Sequence, residues 1–263
     1  RFFENDILQH SWVSFDGTPL GFYIYGPFSA LQIVKDYIAA TGDLECLDTK
    51  LSSNETIIGQ LKRVALAMNH TYARHEDGLF DIGPGTGLAL EIRTSGYEYV
   101  IAEITGLASD YSSTLAEWCK ARGDHTGAAV MSELALGQAR ALELLWNEDV
   151  GWYDNEYPDR TRHTVFSYKM FDLLRGAAVP LQHKGRMAGR IVDGEFLAPF
   201  GMFSISRSDE FHFDREDCDW GGGGVYVGQP GKIVEALFQL ASHGDDYGFH
   251  EKAWNILDGI IKW

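Results

Sequence analysis

Along most of this chain apolar residues recur at the three- and four-residue spacing of an α-helix, and strand-like alternation is scarce. That spacing puts one side of each segment onto a shared core. Leu31, Val34 and Ile38 make a first stripe, with Gly42 as its stop, and Ile57, Leu61, Val64 and Met68 a second, opened by a capping region at Ser53-Asn54. Leu107, Tyr111, Leu115 and Trp118 form a third that ends at Gly123-Asp124. Met131, Leu134, Leu142 and Leu145 continue in a fourth that stops near Trp146. Weaker helical stretches cover about 166–177 and 181–190. Ile233, Leu237 and Leu240 form a late helix closed by His243-Gly244, and Trp254, Leu257 and Ile261 the last. The aromatic and glycine-rich run from Trp12 to Tyr25 reads as a short extended segment. With no βαβ rhythm, a Rossmann or TIM architecture is not expected and the chain reads as all-α.

The connections alternate in length. A short joint at Ala121–His125 contrasts with long glycine-rich segments at 77–100 and 199–230, both carrying acids and aromatics. Connections this long inside a compact domain are usually functional. No Pro/Ser linker or charge block divides the chain, so residues 1–263 read as one domain of helical hairpins.

Asp and Glu outnumber Lys and Arg by 38 to 22, giving a net charge of −16. A field of that sign repels phosphate backbones and anionic lipid, so neither nucleic acid nor membrane is the expected partner. The compartment stays open. Cys46, Cys119 and Cys218 form no CxxC pair, and the nine histidines no HExxH or paired spacing, so no metal and no cofactor is expected. With 7 Trp, 12 Tyr and 15 Phe, the chain has rings enough to pack a core and still line a sugar site.

Three blocks carry a resemblance. Leu145-Trp146-Asn147-Glu148-Asp149-Val150-Gly151-Trp152-Tyr153-Asp154 is similar to a segment of the six-hairpin (α/α)6-barrel glycosidases in which a helix ends in Leu-Trp-Asp-Glu before Gly-Phe-Tyr-Tyr-Asp. Pro199-Phe200-Gly201-Met202-Phe203-Ser204-Ile205-Ser206-Arg207 resembles their Pro-Tyr-Gly-x-x-Ser-x-Ser passage. A Trp/Gly-rich loop follows there, as Asp219-Trp220-Gly221-Gly222-Gly223-Gly224 does here. Order and spacing agree with the trehalase and processing α-glucosidase clan, although Asp219-Trp220-Gly221-Gly222 stands where trehalase-like members carry Trp-Arg-Gly-Pro. The resemblance implies an (α/α)6 toroid with its long loops at one face. About eight helices are visible where twelve close such a barrel, so the expectation is a longer polypeptide or an incomplete toroid.

The resemblance also implies hydrolysis of a glycosidic bond in an oligosaccharide or glycoside by two carboxyl groups. Asp81, in Glu76-Asp77-Gly78-Leu79-Phe80-Asp81-Ile82-Gly83-Pro84-Gly85, is the expected acid, one residue further along than the family pattern. Asp77 is the fallback and a sugar contact. Asp219 is the expected second carboxylate in the chain, and the resemblance puts the family's own base in chain beyond Trp263. Glu98, between Tyr97 and Tyr99, fits a sugar subsite with those two rings, while Trp220 and Tyr226 offer further stacking surfaces. Glu103 reads as a first-turn glutamate favoured by the helix dipole. Two other readings stay open. One is a lyase or epimerase using Tyr97, Tyr99 or Tyr226 with His212; the other is a helical carbohydrate-binding protein without catalysis.

Overall fold

The computed structural model describes residues 23–84, 92, 94–216 and 230–262 in full, and the backbone of 3–4 and 7–8. Seven α-helices and two 3-10 helices lie among these residues. Helix α1 is Gly26–Thr41, α2 Ile57–Tyr72, α3 Ala102–Ala121, α4 His125–Glu143, α5 Leu181–Ala188, α6 Pro230–His243 and α7 Phe249–Ile261. One 3-10 helix, Glu45–Asp48, sits between α1 and α2, and the other, Tyr168–Leu174, between α4 and α5. Strands are confined to antiparallel two-residue pairs: Phe3–Glu4 with Ile7–Leu8, Trp146–Asn147 with Trp152–Tyr153, Asn155–Glu156 with Arg162–His163, and Leu197–Ala198 with Gly201–Met202.

The helix ends follow their local chemistry. Pro27 opens α1 without wasting a donor, and Gly42, at φ +72°, closes it with its N–H on the Ile38 carbonyl at 2.8 Å. The cap of α2 is Thr56, whose hydroxyl accepts the Gly59 N–H at 3.2 Å, and not the expected Ser53-Asn54. Asp124 plays the same part for α4, accepting the Gly127 N–H at 2.8 Å.

Helices pair into hairpins. Helices α3 and α4 turn through Arg122–Asp124, the Tyr168–Leu174 helix and α5 through 175–180, and α6 and α7 through 244–248. Helix α2 leads into α3 through 73–101, α4 into the Tyr168–Leu174 helix through 144–167, and α5 into α6 through 189–229. The middle segment is a third long connection that the sequence reading did not single out. Four elements, α1, α3, the Tyr168–Leu174 helix and α6, line one cavity, and isolated bridges join the described parts of the long segments just before α3 and the Tyr168–Leu174 helix. Helix α3 is buried nearly all round, and Gly106 lets Leu173 and Leu142 lie against its backbone.

Two expectations are sharpened. The helical stretch at 166–177 is a seven-residue 3-10 helix, Tyr168–Leu174. Three residues per turn align Lys169, Asp172 and Arg175 on one side, and all three face the cavity. In α7 the buried face is Phe249, Ala253 and Ile256, while Trp254 and Ile261 are half or more exposed. Gly259 selects that face: without a side chain it approaches the backbone of Gly201 and Pro199, where a Cβ would stand 3.1 and 3.3 Å away.

Candidate active site

A ladder of isolated bridges ties the long segments together above the first turn of α3. Ala73 pairs with Phe80, Asp81 with Val100, and Val100 with Glu156. The Phe80 N–H donates to Thr105 Oγ1 at 3.0 Å, which docks this ladder on the inner helix. Leu79 and Phe80 turn fully inward, and the chain then re-emerges with Asp81 half-buried. Gly78 and Gly83, at φ +77° and +80°, make the turns on either side. Asp81 holds its position through its own N–H on the Tyr72 carbonyl at 2.8 Å and through Oδ1, which accepts the Gly83 N–H at 2.9 Å. Its second oxygen, Oδ2, accepts no hydrogen bond among the described residues.

Across the ladder, Glu98 is half-buried and accepts the Tyr157 hydroxyl at 2.8 Å. Tyr99, at φ +60°, sets its ring edge-on to Tyr157, with centroids 5.3 Å apart. Tyr157 in turn meets His163 at 4.6 Å. Asp81, Glu98 and Tyr99 therefore share one ladder, joined by a tyrosine that the sequence reading did not name. Tyr157 carried no signal there because its segment, 144–167, was not recognised as a site loop.

Asp77 stands in a different environment. Arg74 grips both its oxygens, at 3.2 and 2.7 Å, Arg160 reaches Oδ2 at 2.5 Å, and the Leu79 N–H donates at 3.0 Å. Burial alone would raise its pKa, but the Arg160, Leu79 and Arg74 contacts outweigh it and hold the carboxyl below the usual value. The same arginines hold Glu156, at 2.7 and 3.0 Å, and lower its pKa against the same burial. Asp77 is thus an ionised strut that fixes the ladder. It has no proton to donate.

Beneath the ladder lies a buried acid. Glu103 is wholly enclosed, and Oε2 accepts the hydroxyls of Tyr25 and Tyr97, each at 2.7 Å. Tyr97 is therefore a core ring bonded to Glu103 and presents no face to solvent. Lys169 lies 3.4 Å from Glu103 but 2.5 Å from Asp172, and its ammonium sits over the Tyr25 ring at 4.2 Å. Burial dominates and pushes the Glu103 carboxyl up to about 8, against the pull of Lys169 and with a smaller push from Asp172. The dipole reading of Glu103 placed it correctly in the first turn but missed this burial. The stripe rule registers apolar residues only, so a carboxyl on the core face gave no signal.

Tyr25 separates Glu103 from the cavity, whose volume is about 160 Å3. Asp110 of α3 lines it too and is pushed up to about 6 by burial, with the Ala178 N–H, Lys184 and Lys35 pulling the other way. Farther along the loop face, His212 Nδ1 lies 2.8 and 2.9 Å from the two Asp209 oxygens, and both residues are buried. No hydrogen bond links His212 to Tyr97 or Tyr99 among the described residues. Asp219, Trp220 and Tyr226 lie outside the described residues. Among the described residues no group of three or more His, Cys, Asp or Glu could hold a metal ion. No helix there is long and apolar enough to cross a membrane.

No protein-family model and no curated protein matches the chain in sequence. Solved structures do match in fold. A sialidase aligns over 96% of this chain with a TM-score of 0.72 and 15% identity. The chain spans only 23% of that protein's length. A GH63 mannosylglycerate hydrolase from Thermus thermophilus, in complex with Tris, aligns over 99% of this chain and 77% of its own, with TM-score 0.66 and 13% identity. An uncharacterized conserved protein from the same organism covers 98% of this chain and 74% of its own, with TM-score 0.63 and 12% identity. The chain has the helical-toroid fold of the six-hairpin glycosidases. Identities this low carry the fold and nothing finer.

Proposed function

We propose that this chain is the toroid of a glycoside hydrolase and that Asp81 is its proton donor. The observation that carries the reading is the position of Asp81 on the loop face of a glycosidase fold. It is a half-buried carboxyl with one oxygen fixed by Gly83 and the other without a hydrogen bond among the described residues, on a ladder whose neighbouring segment carries Glu98 and Tyr99. A glycosidic oxygen leaves easily only when protonated as its bond to carbon breaks, so the donor must reach the substrate. Glu103 is the acid that holds a proton at neutral pH, but it is sealed behind Tyr25 and Tyr97 and cannot reach a ligand. Asp77 is accessible only to its arginines. Asp81 alone of these three combines a fixed position with access.

The second carboxyl, which activates water or attacks the anomeric carbon, is assigned to Asp219 in the Trp/Gly-rich loop. Whether it stands about 5–5.5 Å or about 6.5–9.5 Å from Asp81 sets retention or inversion. Glu98, oriented by Tyr157, accepts sugar hydroxyls, and Tyr99, Trp220 and Tyr226 offer their rings to the apolar sugar face. The substrate is an oligosaccharide or glycoside.

The test is the leaving-group dependence of Asp81→Asn in the intact protein. Removing the acid slows an alkyl or sugar leaving group by on the order of 10²-fold or more and barely affects a dinitrophenyl glycoside, which leaves without protonation. Equal loss on both substrates assigns Asp81 to binding and refutes its role as donor.

A further inference from the structure

The cavity between α1, α3, the Tyr168–Leu174 helix and α6 carries a charge opposite to that of the chain. Lys35 from α1, Lys169 and Arg175 from the Tyr168–Leu174 helix and its end, and Lys232 from α6 all line it, against the two acids Asp110 and Asp172. The chain as a whole has a net charge of −16. Some of this positive charge is matched locally. Lys169 is paired to Asp172 at 2.5 Å, and Arg175 reaches Glu235 at 3.3 Å. Lys35 and Lys232 hold no salt bridge among the described residues, and Lys35 acts only at a distance on Asp110, whose carboxyl it draws down. Glu103, next to the cavity floor behind Tyr25, adds little negative charge at neutral pH because burial keeps it protonated. A recess lined by more cations than acids concentrates anions, and it does so against the repulsion of the surrounding acidic surface.

The walls restrict which anion fits. Tyr23, Tyr25, Phe28 and Tyr111 give the cavity aromatic sides that suit the apolar face of a ring. A volume of about 160 Å3 holds on the order of ten water spheres. That is room for a sugar ring. Bare inorganic anions would gain the charge but leave the rings unused.

We propose that the cavity takes a sugar unit bearing a carboxylate, with Lys35 and Lys232, neither held in a salt bridge, supplying the charge and the tyrosine and phenylalanine rings the walls. This goes beyond the hydrolase reading and rests on it only for its biological sense, since Asp81, Glu98 and Tyr99 do not line this cavity. Lysine suits the task as a flexible point charge, and its contribution is screened by salt.

The experiment is calorimetric titration of the intact protein with D-glucuronate, D-glucose and inorganic phosphate, at low and high salt. Glucuronate is expected to bind about ten-fold more tightly than glucose, the product of two partly screened contacts of about three-fold each. High salt should abolish that difference. Lys35→Ala and Lys232→Ala should each cost about three-fold for glucuronate and nothing for glucose. Thermal unfolding of each variant confirms that the fold is kept. Equal binding of glucose and glucuronate overturns the proposal, as does phosphate binding as tightly as glucuronate, or full affinity in both lysine variants. Binding needs no turnover, so the two readings fail separately. Selective glucuronate binding without hydrolysis of any glycoside keeps this inference and sinks the hydrolase. Hydrolysis of neutral glycosides without carboxylate selectivity does the reverse.

Discussion

Replacing Glu103 by Gln should remove a pH dependence from the stability of this chain. Glu103 titrates near 8 in the folded chain, against an ordinary value of 4.5, because it is fully buried. Between those two values the folded chain binds a proton that the unfolded chain has released. Unfolding free energy therefore falls as pH rises through that window, by about 1.4 kcal/mol for each pH unit. The whole window amounts to about 4–5 kcal/mol, a large part of the stability of a typical domain. Asp110, pushed up to about 6, contributes in the same direction but only at lower pH. The cleanest range is therefore pH 6.5 to 8, where Glu103 should cost the parent about 2 kcal/mol. In Glu103→Gln the amide oxygen still accepts from Tyr25 and Tyr97, and the amide stays neutral throughout. Its NH2 group then faces Lys169 in place of Oε1, which sets a fixed cost and no slope. Urea unfolding at half-unit pH intervals reads the two profiles, and their difference cancels the histidines common to both. Parallel profiles from pH 6.5 to 8 would refute the reasoning and mean that Lys169 keeps Glu103 ionised.

Arg74→Ala should cost about 3 kcal/mol by urea unfolding at pH 7, because it leaves the buried Glu156 and Asp77 facing each other with Arg160 as their remaining shared cation. Both carboxyls are held below their usual pKa, so the parent's advantage is complete above about pH 4.5 and shrinks as pH falls through their folded values. Gly176→Ala should cost at least about 2 kcal/mol, read as a lowered Tm. Its new Cβ would fall on the Asp110 carboxyl, which the Ala178 N–H pins at 3.1 Å.

The helices were legible because burial writes itself into apolar spacing. All four stripes on α1 to α4 lie on the faces that pack inward, and Gly42 and Gly123-Asp124 end their helices as read. The failures came where something other than apolar spacing decides. In α7 a missing side chain at Gly259 set the buried face, and Trp254 was left outside. At Tyr168–Leu174 the segment is buried on most sides, so no stripe distinguished three residues per turn from 3.6. The loop-face residues were named from a resemblance, and geometry then divided them. Asp81, Glu98 and Tyr99 came together on one ladder, whereas Asp77 and Tyr97 turned out to be bound to Arg74 and Glu103. Only the fold could distinguish an acid that faces solvent from one that faces a guanidinium, because their partners lie up to 83 residues away in sequence.

The central claim is that a loop-face carboxyl of this toroid breaks glycosidic bonds. The most direct test is turnover by the intact protein and by Asp81→Asn on a panel of α- and β-linked disaccharides and aryl glycosides. The account predicts that at least one linkage is cleaved and that the variant, equally stable, loses on the order of 10²-fold or more on it. An intact protein inert on every linkage, or a variant as active as its parent, would contradict it.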